Sequence, residues 1–156
     1  MVESDHASTT EPDAIAALLR RRLSHAAVEI PVAGTSMSGV IASGSTVVLS
    51  PATHPRCGEI WAFVDDDGGV VVHRVREYDG SSVTARGTGN RVDDDPVPAS
   101  RLVGRVVESH WSGQRRRFGS VDRVRAAVTL RTRRRVRRLL AVASRRRRPD
   151  RNPKDT

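Results

Sequence analysis

The chain has 156 residues, a formal net charge of +9, 37% hydrophobic residues and only 3% aromatics, enough for one domain with a small aliphatic core and too little for two independent ones. Its single cysteine, Cys57, excludes an internal disulfide and any cysteine-rich metal site; with five scattered histidines, no metal or other cofactor is expected. From Arg115 onward, 16 arginines and one lysine face three aspartates, a net +14, whereas the rest of the chain carries −5. A partner chosen by charge is therefore a partner of the tail.

No apolar run approaches the roughly 20 residues of a membrane-spanning helix. The first 12 residues are polar and acidic, unlike the basic-then-apolar pattern of a signal peptide. The expected location is the cytoplasm, with at most a peripheral membrane contact.

Residues 1–11 read as a disordered lead-in, and residues 12–110 as the folded domain. Pro12-Asp13 opens a short amphipathic helix with Ile15, Leu18, Leu19 and Leu23 on one face, closed by Arg20, Arg21 and Arg22. Residues 28–32 read as a strand that Pro31 marks as a sheet edge. After the small-residue segment 33–39, strands are predicted over 46–49 and 60–64, the second joined through the turn Asp65 to Gly69 to a returning strand over 70–75. Further strands are predicted over 83–85 and 102–107, on either side of an irregular, acid-rich loop over 87–98. Short strands without intervening helices predict a mainly β fold, a partly closed antiparallel β-domain. Residues 111–144 read as a basic, helical extension in which Val121, Val124, Val128, Val136, Leu139, Leu140 and Ala143 recur at helical spacing, interrupted near Arg131 and Thr132. Residues 145–156 read as a disordered basic tail.

Two groups in this frame suit nucleophilic catalysis. Ser36 stands in the Gly34-Thr35-Ser36-Met37 turn, where backbone N–H groups can face an oxyanion, and His73 lies within the valine-rich strand Val72-His73-Arg74-Val75. A serine hydroxyl attacks only when a base within hydrogen-bond reach takes its proton, so the pair matters only if the fold brings them together.

The ordered blocks Gly34-Thr35-Ser36-Met37, Cys57 to Phe63, Val72 to Val75, Arg86 to Asp94 and Leu102 to Val106 resemble those of the type I signal peptidase superfamily. Within it they resemble the Ser/His branch of the endoplasmic-reticulum, archaeal and sporulation-type enzymes, and its small unanchored bacterial relatives. The resemblance covers about residues 32–107. It implies a signal peptidase-type β-domain carrying a short N-terminal helix and a basic C-terminal helix. It also implies a serine endopeptidase that cuts a peptide or protein leader, after a small residue, through an acyl-enzyme. Ser36 would be the nucleophile, with its own backbone N–H as an oxyanion donor, His73 the general base and Asp94 the acid that orients the histidine. Met37, Arg74 and Asp93 would be supporting residues, with Arg74 expected to pair with an acid at the core edge. The chain has Ser38-Gly39 where the family has a proline, and Gly44-Ser45 and Gly87-Thr88 where the family has Gly-Asp.

These departures leave an alternative open: a catalytically degenerate domain that binds a peptide or protein in the inherited groove. A self-cleaving, repressor-type regulator is disfavoured because Ala33-Gly34 lies too near Ser36 to enter its own site. The arginines of residues 115–148 suit peripheral contact with an anionic membrane. Nucleic acid is disfavoured as a partner, since neither a reading motif nor aromatics for base stacking accompany them.

Overall fold

A computed structural model describes residues 10–120 and 122–128. Most of the expected lead-in, the second half of the basic extension and the tail 145–156 lie outside the described residues. The described part is mainly β, a single antiparallel sheet curled into a half-barrel with one helix before it and a short one after it.

Helix α1 (Glu11–Leu23) carries Pro12 in its first turn, Glu11 and Asp13 beside it, and Arg20, Arg21 and Arg22 in its last turn. That arrangement places each charge where the helix dipole favours it. Leu23 is buried and Ile15 and Leu19 pack against the core as expected, whereas Leu18 is 69% exposed and Pro12 and Ala16 are buried in addition. The helix approaches the sheet closely where Leu23 meets Gly104: a Cβ on Gly104 would sit 2.5 Å from Leu23 Cδ2 and 3.0 Å from the Ser50 carbonyl oxygen. Arg20 adds hydrogen bonds to the carbonyl oxygens of Ser100 and Leu102.

The strands are β1 (Val28–Pro31), β2 (Thr46–Ser50), β3 (Ile60–Val64), β4 (Val70–Tyr78), β5 (Ser82–Arg86), β6 (Val97–Pro98), β7 (Leu102–Trp111) and β8 (Gln114–Arg117). Their order is β1-β2-β7-β3-β4-β5-β6, every pairing antiparallel, with β8 on β7. Pro31 does lie on an edge strand, where its missing N–H breaks no ladder. β3 is buried along its whole length because both of its faces are covered. Ile60, Ala62 and Val64 join the core beneath α1 with Val47, Leu49, Val72 and Val106. Trp61 and Phe63 join a second core on the other face with Val75, Val83, Ala85 and Leu102.

Two strands run well beyond their predicted ends, and two were not predicted. β4 continues to Tyr78, β7 continues to Trp111 and turns back as β8, and the two-residue β6 closes the 87–98 loop. The domain boundary drawn at 110 therefore falls inside a strand, and the extension begins as sheet rather than helix. Two local features cause this. Ser112 and Gly113 both have positive φ, 48° and 77°, which suits a tight hairpin. Pairing with β3 covers Leu102, Gly104 and Arg105, whereas residues 108–111 on that side are paired by β8. Glu108 then binds the returning arginines, with Arg115 Nε at 2.5 Å and Arg117 Nε at 3.1 Å, and it also contacts His110 Nε2.

A short helix, α2 (residues 122–128), follows. Its Val124 and Val128 are 52% and 58% exposed rather than packed on the domain. The helix instead seats its backbone on Gly58, where an added Cβ would lie 2.5 Å from the Arg123 carbonyl oxygen. Among the described residues no helix is long and apolar enough to cross a membrane.

The hydrogen bond from His110, with those from Arg115 and Arg117, holds the Glu108 carboxyl down to about 2. An unfolded glutamate titrates near about 4.3, so this contribution to stability is complete above that value and drains away as pH falls towards 2. Amide hydrogen exchange of residues 114–117 is expected to accelerate over that acid window relative to β2 and β3, and Glu108→Gln is expected to remove the pH dependence. Equal exchange in both proteins across the window would refute the assignment.

Candidate active site

The turn that carries Ser36, the expected nucleophile, begins where β1 ends. Val32 is clipped to the start of β2 by Val32 N–H to Ser45 O at 2.8 Å and Gly44 N–H to Val32 O at 2.9 Å. Gly34 then takes φ +82°, and Ser38 N–H to Thr35 O and Ile41 N–H to Met37 O wind the chain into a tight turn around Met37. Met37 is 2% exposed and lies in the core beneath α1 with Ile41. Its burial pulls the turn onto the sheet and leaves the preceding residue, Ser36, half-buried at the surface. The Ser36 N–H has no hydrogen-bond acceptor among the described residues, so it is available as a donor to an incoming oxyanion.

His73 stands on β4 directly across from Trp61 of β3. Strand alternation turns it towards the second core, where its ring meets Phe63 edge-on at 6.1 Å between centroids and 70° between planes. The ring is 8% exposed. From there Nε2 lies 3.0 Å from Ser36 Oγ, and Nδ1 lies 2.6 Å from Asp94 Oδ2. An ionised carboxylate only accepts, so Nδ1 carries the proton and Nε2 is left bare to receive the hydroxyl proton of Ser36.

Asp94 reaches the ring because the loop after β5 is tied down at several points. Its N–H donates to Ala85 O at 2.9 Å. Asp93 points elsewhere: Arg76 Nε and Arg86 Nη1 stand 3.3 and 3.5 Å from its Oδ1. Two guanidiniums thus neutralise the neighbouring acid and let Asp94 approach the histidine without a second carboxylate competing for it. The expected supporting role of Asp93 becomes that of a loop anchor away from the ring.

Arg74 also departs from expectation. Successive strand residues face opposite sides, so Arg74 lies on the side of β4 away from His73 and donates from Nη1 to Gly58 O at 2.5 Å. Burial pushes its guanidinium below the ordinary arginine value, with Asp122 acting in the opposite direction. It touches none of Ser36, His73 or Asp94.

Sequence reasoning read Gly87-Thr88 as the loss of an acid and missed what this segment does. A Cβ on Gly87 would lie 2.4 Å from the Ser36 carbonyl oxygen and 2.9 Å from Ser36 Cβ; one on Gly89 would lie 2.8 Å from Ser38 Oγ. Gly89 N–H donates to Ser36 O at 2.8 Å, and Thr88 Oγ1 donates to Ser38 O at 3.2 Å. Thr88 therefore joins the nucleophile turn through a hydrogen bond where a carboxylate would face a carbonyl oxygen. Two glycines spaced by one residue at the end of a predicted strand were the available signal, a mark of close backbone approach.

Among the described residues no group of three or more histidine, cysteine or acidic side chains is placed to hold a metal ion. No family model matches the chain, and no curated protein matches it. The candidate site is accordingly read from its own atoms.

Gly87→Ala is expected to displace the Ser36 carbonyl, costing about 1–3 kcal/mol of stability as an overpacked contact. Thermal unfolding checks this: Gly80→Ala, at a turn position with positive φ but open space around it, carries backbone strain without the clash. A loss for Gly87→Ala no larger than that of Gly80→Ala would refute the close-approach account.

Proposed function

We propose that this protein is a serine endopeptidase of the signal peptidase-like type, cutting a peptide or protein leader with Ser36 as nucleophile, His73 as base and Asp94 as the orienting acid. The observation that carries the reading is the unbroken hydrogen-bond chain from Ser36 Oγ through the His73 ring to Asp94. Such a chain activates a hydroxyl that is otherwise inert near neutral pH.

In this reading Ser36 Oγ attacks the scissile carbonyl carbon while its proton passes to His73 Nε2. Asp94 stabilises the imidazolium, and the Ser36 N–H meets the oxyanion. Collapse of the tetrahedral intermediate breaks the C–N bond, and the Nε2 proton leaves on the amine. Water, deprotonated by the same nitrogen, then hydrolyses the ester and restores the hydroxyl. Each proton taken is returned, so neither a metal nor a redox partner enters the balance.

An extended substrate suits the strand edges beside the site. β1, which leads into the nucleophile turn, pairs only with β2, and residues 70–73 of β4 pair with β3 while the β5 register begins at Arg74. A peptide strand laid along either edge would satisfy open backbone groups and bring a carbonyl near Ser36. Peripheral contact with anionic lipid is supported separately by the β7–β8 hairpin. Trp111, 51% exposed, stands across from Gln114 at the hairpin end, and the exposed Arg115, Arg116 and Arg117 follow along β8, an amphipathic combination suited to a headgroup layer.

Treatment with a fluorophosphonate is expected to add one adduct to the intact protein, located at Ser36 and absent from Ser36→Ala. His73→Ala is expected to slow labelling by about 10²–10⁴-fold, the usual contribution of a positioned base. Asp94→Asn should slow it as well, while Asp95→Asn should not. A folded protein that stays unlabelled, or one whose Ser36→Ala form still labels, would overturn the reading. The first of these outcomes would favour the peptide-binding module that keeps the groove without the chemistry.

A further inference from the structure

Behind β4, on the side away from His73, a cleft of about 300 Å³ opens between the sheet and the segment leading into α2. That volume is at the small end of the range of about 300–1,000 Å³ typical of small-ligand sites. Arg56, Arg74, Arg105 and Arg123 line it together with the acids Glu59 and Asp122. Ile60, Val106 and Phe118 supply an apolar wall.

The acids are already engaged. Glu59 is 8% exposed, and its Oε2 accepts the Arg56 N–H and Trp61 Nε1, both at 3.0 Å. Its Oε1 faces Arg105 Nη1 at 3.5 Å and Arg123 Nη1 at 4.0 Å. Asp122 accepts the Gly119 N–H at 3.4 Å and faces Arg116 Nη2 at 4.0 Å. Four guanidiniums against two carboxylates leave two positive charges in excess within the lining. The Arg56 side chain makes no ion pair among the described residues, and the Arg74 guanidinium hydrogen-bonds the neutral Gly58 carbonyl while the Asp122 charge acts on it without an ion-pair contact. In addition, Arg105 Nε is buried without a hydrogen-bond partner among the described residues.

We propose that this cleft binds a small organic phosphate, a phosphomonoester with a short apolar or planar body. The dianionic head matches the two unmatched charges and the fork geometry of arginine. The body matches Phe118, Ile60 and Val106. The cleft lies behind the strand that carries His73, so the proposal stands or falls independently of the peptidase reading.

Phenyl phosphate, titrated into the full-length protein by calorimetry, is expected to bind saturably at one site. Arg56→Gln and Arg74→Gln are each expected to weaken it by about tenfold or more, the loss of a charge-assisted hydrogen bond. Arg56 is exposed, so its replacement leaves the core intact, and circular dichroism checks the fold of both variants. Inorganic phosphate, which cannot use the apolar wall, should bind more weakly than phenyl phosphate. Replacing Arg21 and Arg22 of α1 together by Gln should leave phenyl phosphate binding unchanged, because these exposed side chains do not line the cleft. Absence of saturable binding, wild-type affinity in both single variants, or loss of binding in the Arg21 and Arg22 double variant would each overturn the proposal.

Discussion

At Gly87 the chain leaving β5 passes so close to the nucleophile turn that only a hydrogen fits between its Cα and the Ser36 carbonyl oxygen. Two parts of the molecule depend on that approach. Gly89 N–H can then reach Ser36 O, which fixes the turn from outside while the burial of Met37 fixes it from inside. The same loop, held in that position, continues to Asp94 and delivers its carboxylate to the His73 ring. A Cβ at position 87 would push the two segments apart and with them the two ends of the Ser36, His73 and Asp94 chain.

Charge is distributed so that this geometry is sustainable. Three consecutive aspartates close to a histidine would repel one another if all pointed inward, yet Asp93 turns to Arg76 and Arg86 and leaves Asp94 as the acid on the ring. At the start of β3 Glu59 performs a comparable task with Arg105, Arg123 and the Trp61 indole. Because Trp61 is also the cross-strand neighbour of His73, the packing behind the histidine is anchored by a buried hydrogen bond rather than by apolar contact alone.

β4 separates two chemistries by strand alternation. His73 meets Phe63, Ser36 and Asp94 on one face, whereas Arg74, one residue on, looks into the cleft beneath α2 on the other. A strand of a sheet covered on both faces can thus carry the histidine of the candidate site and an arginine of the cleft on adjacent residues.

Local pattern determined much of the fold before any tertiary contact was considered. The run Ile60 to Val64, the Asp65 to Gly69 turn and the valines after it specify a hairpin by composition, and Pro31 specifies an edge, since each depends on backbone chemistry within a few residues. Ser36 and His73 were legible as chemical types in suitable places. That they meet, and that Asp94 rather than Asp93 is the acid on the ring, was decided by the tertiary structure, because strand register and cross-strand ion pairs join residues far apart in the chain. The same holds for the exposure of Leu18, and for the hairpin at Trp111, which fills the side of β7 that β3 leaves open. Periodicity names the residues able to be buried; the distance at which the backbones pack chooses among them.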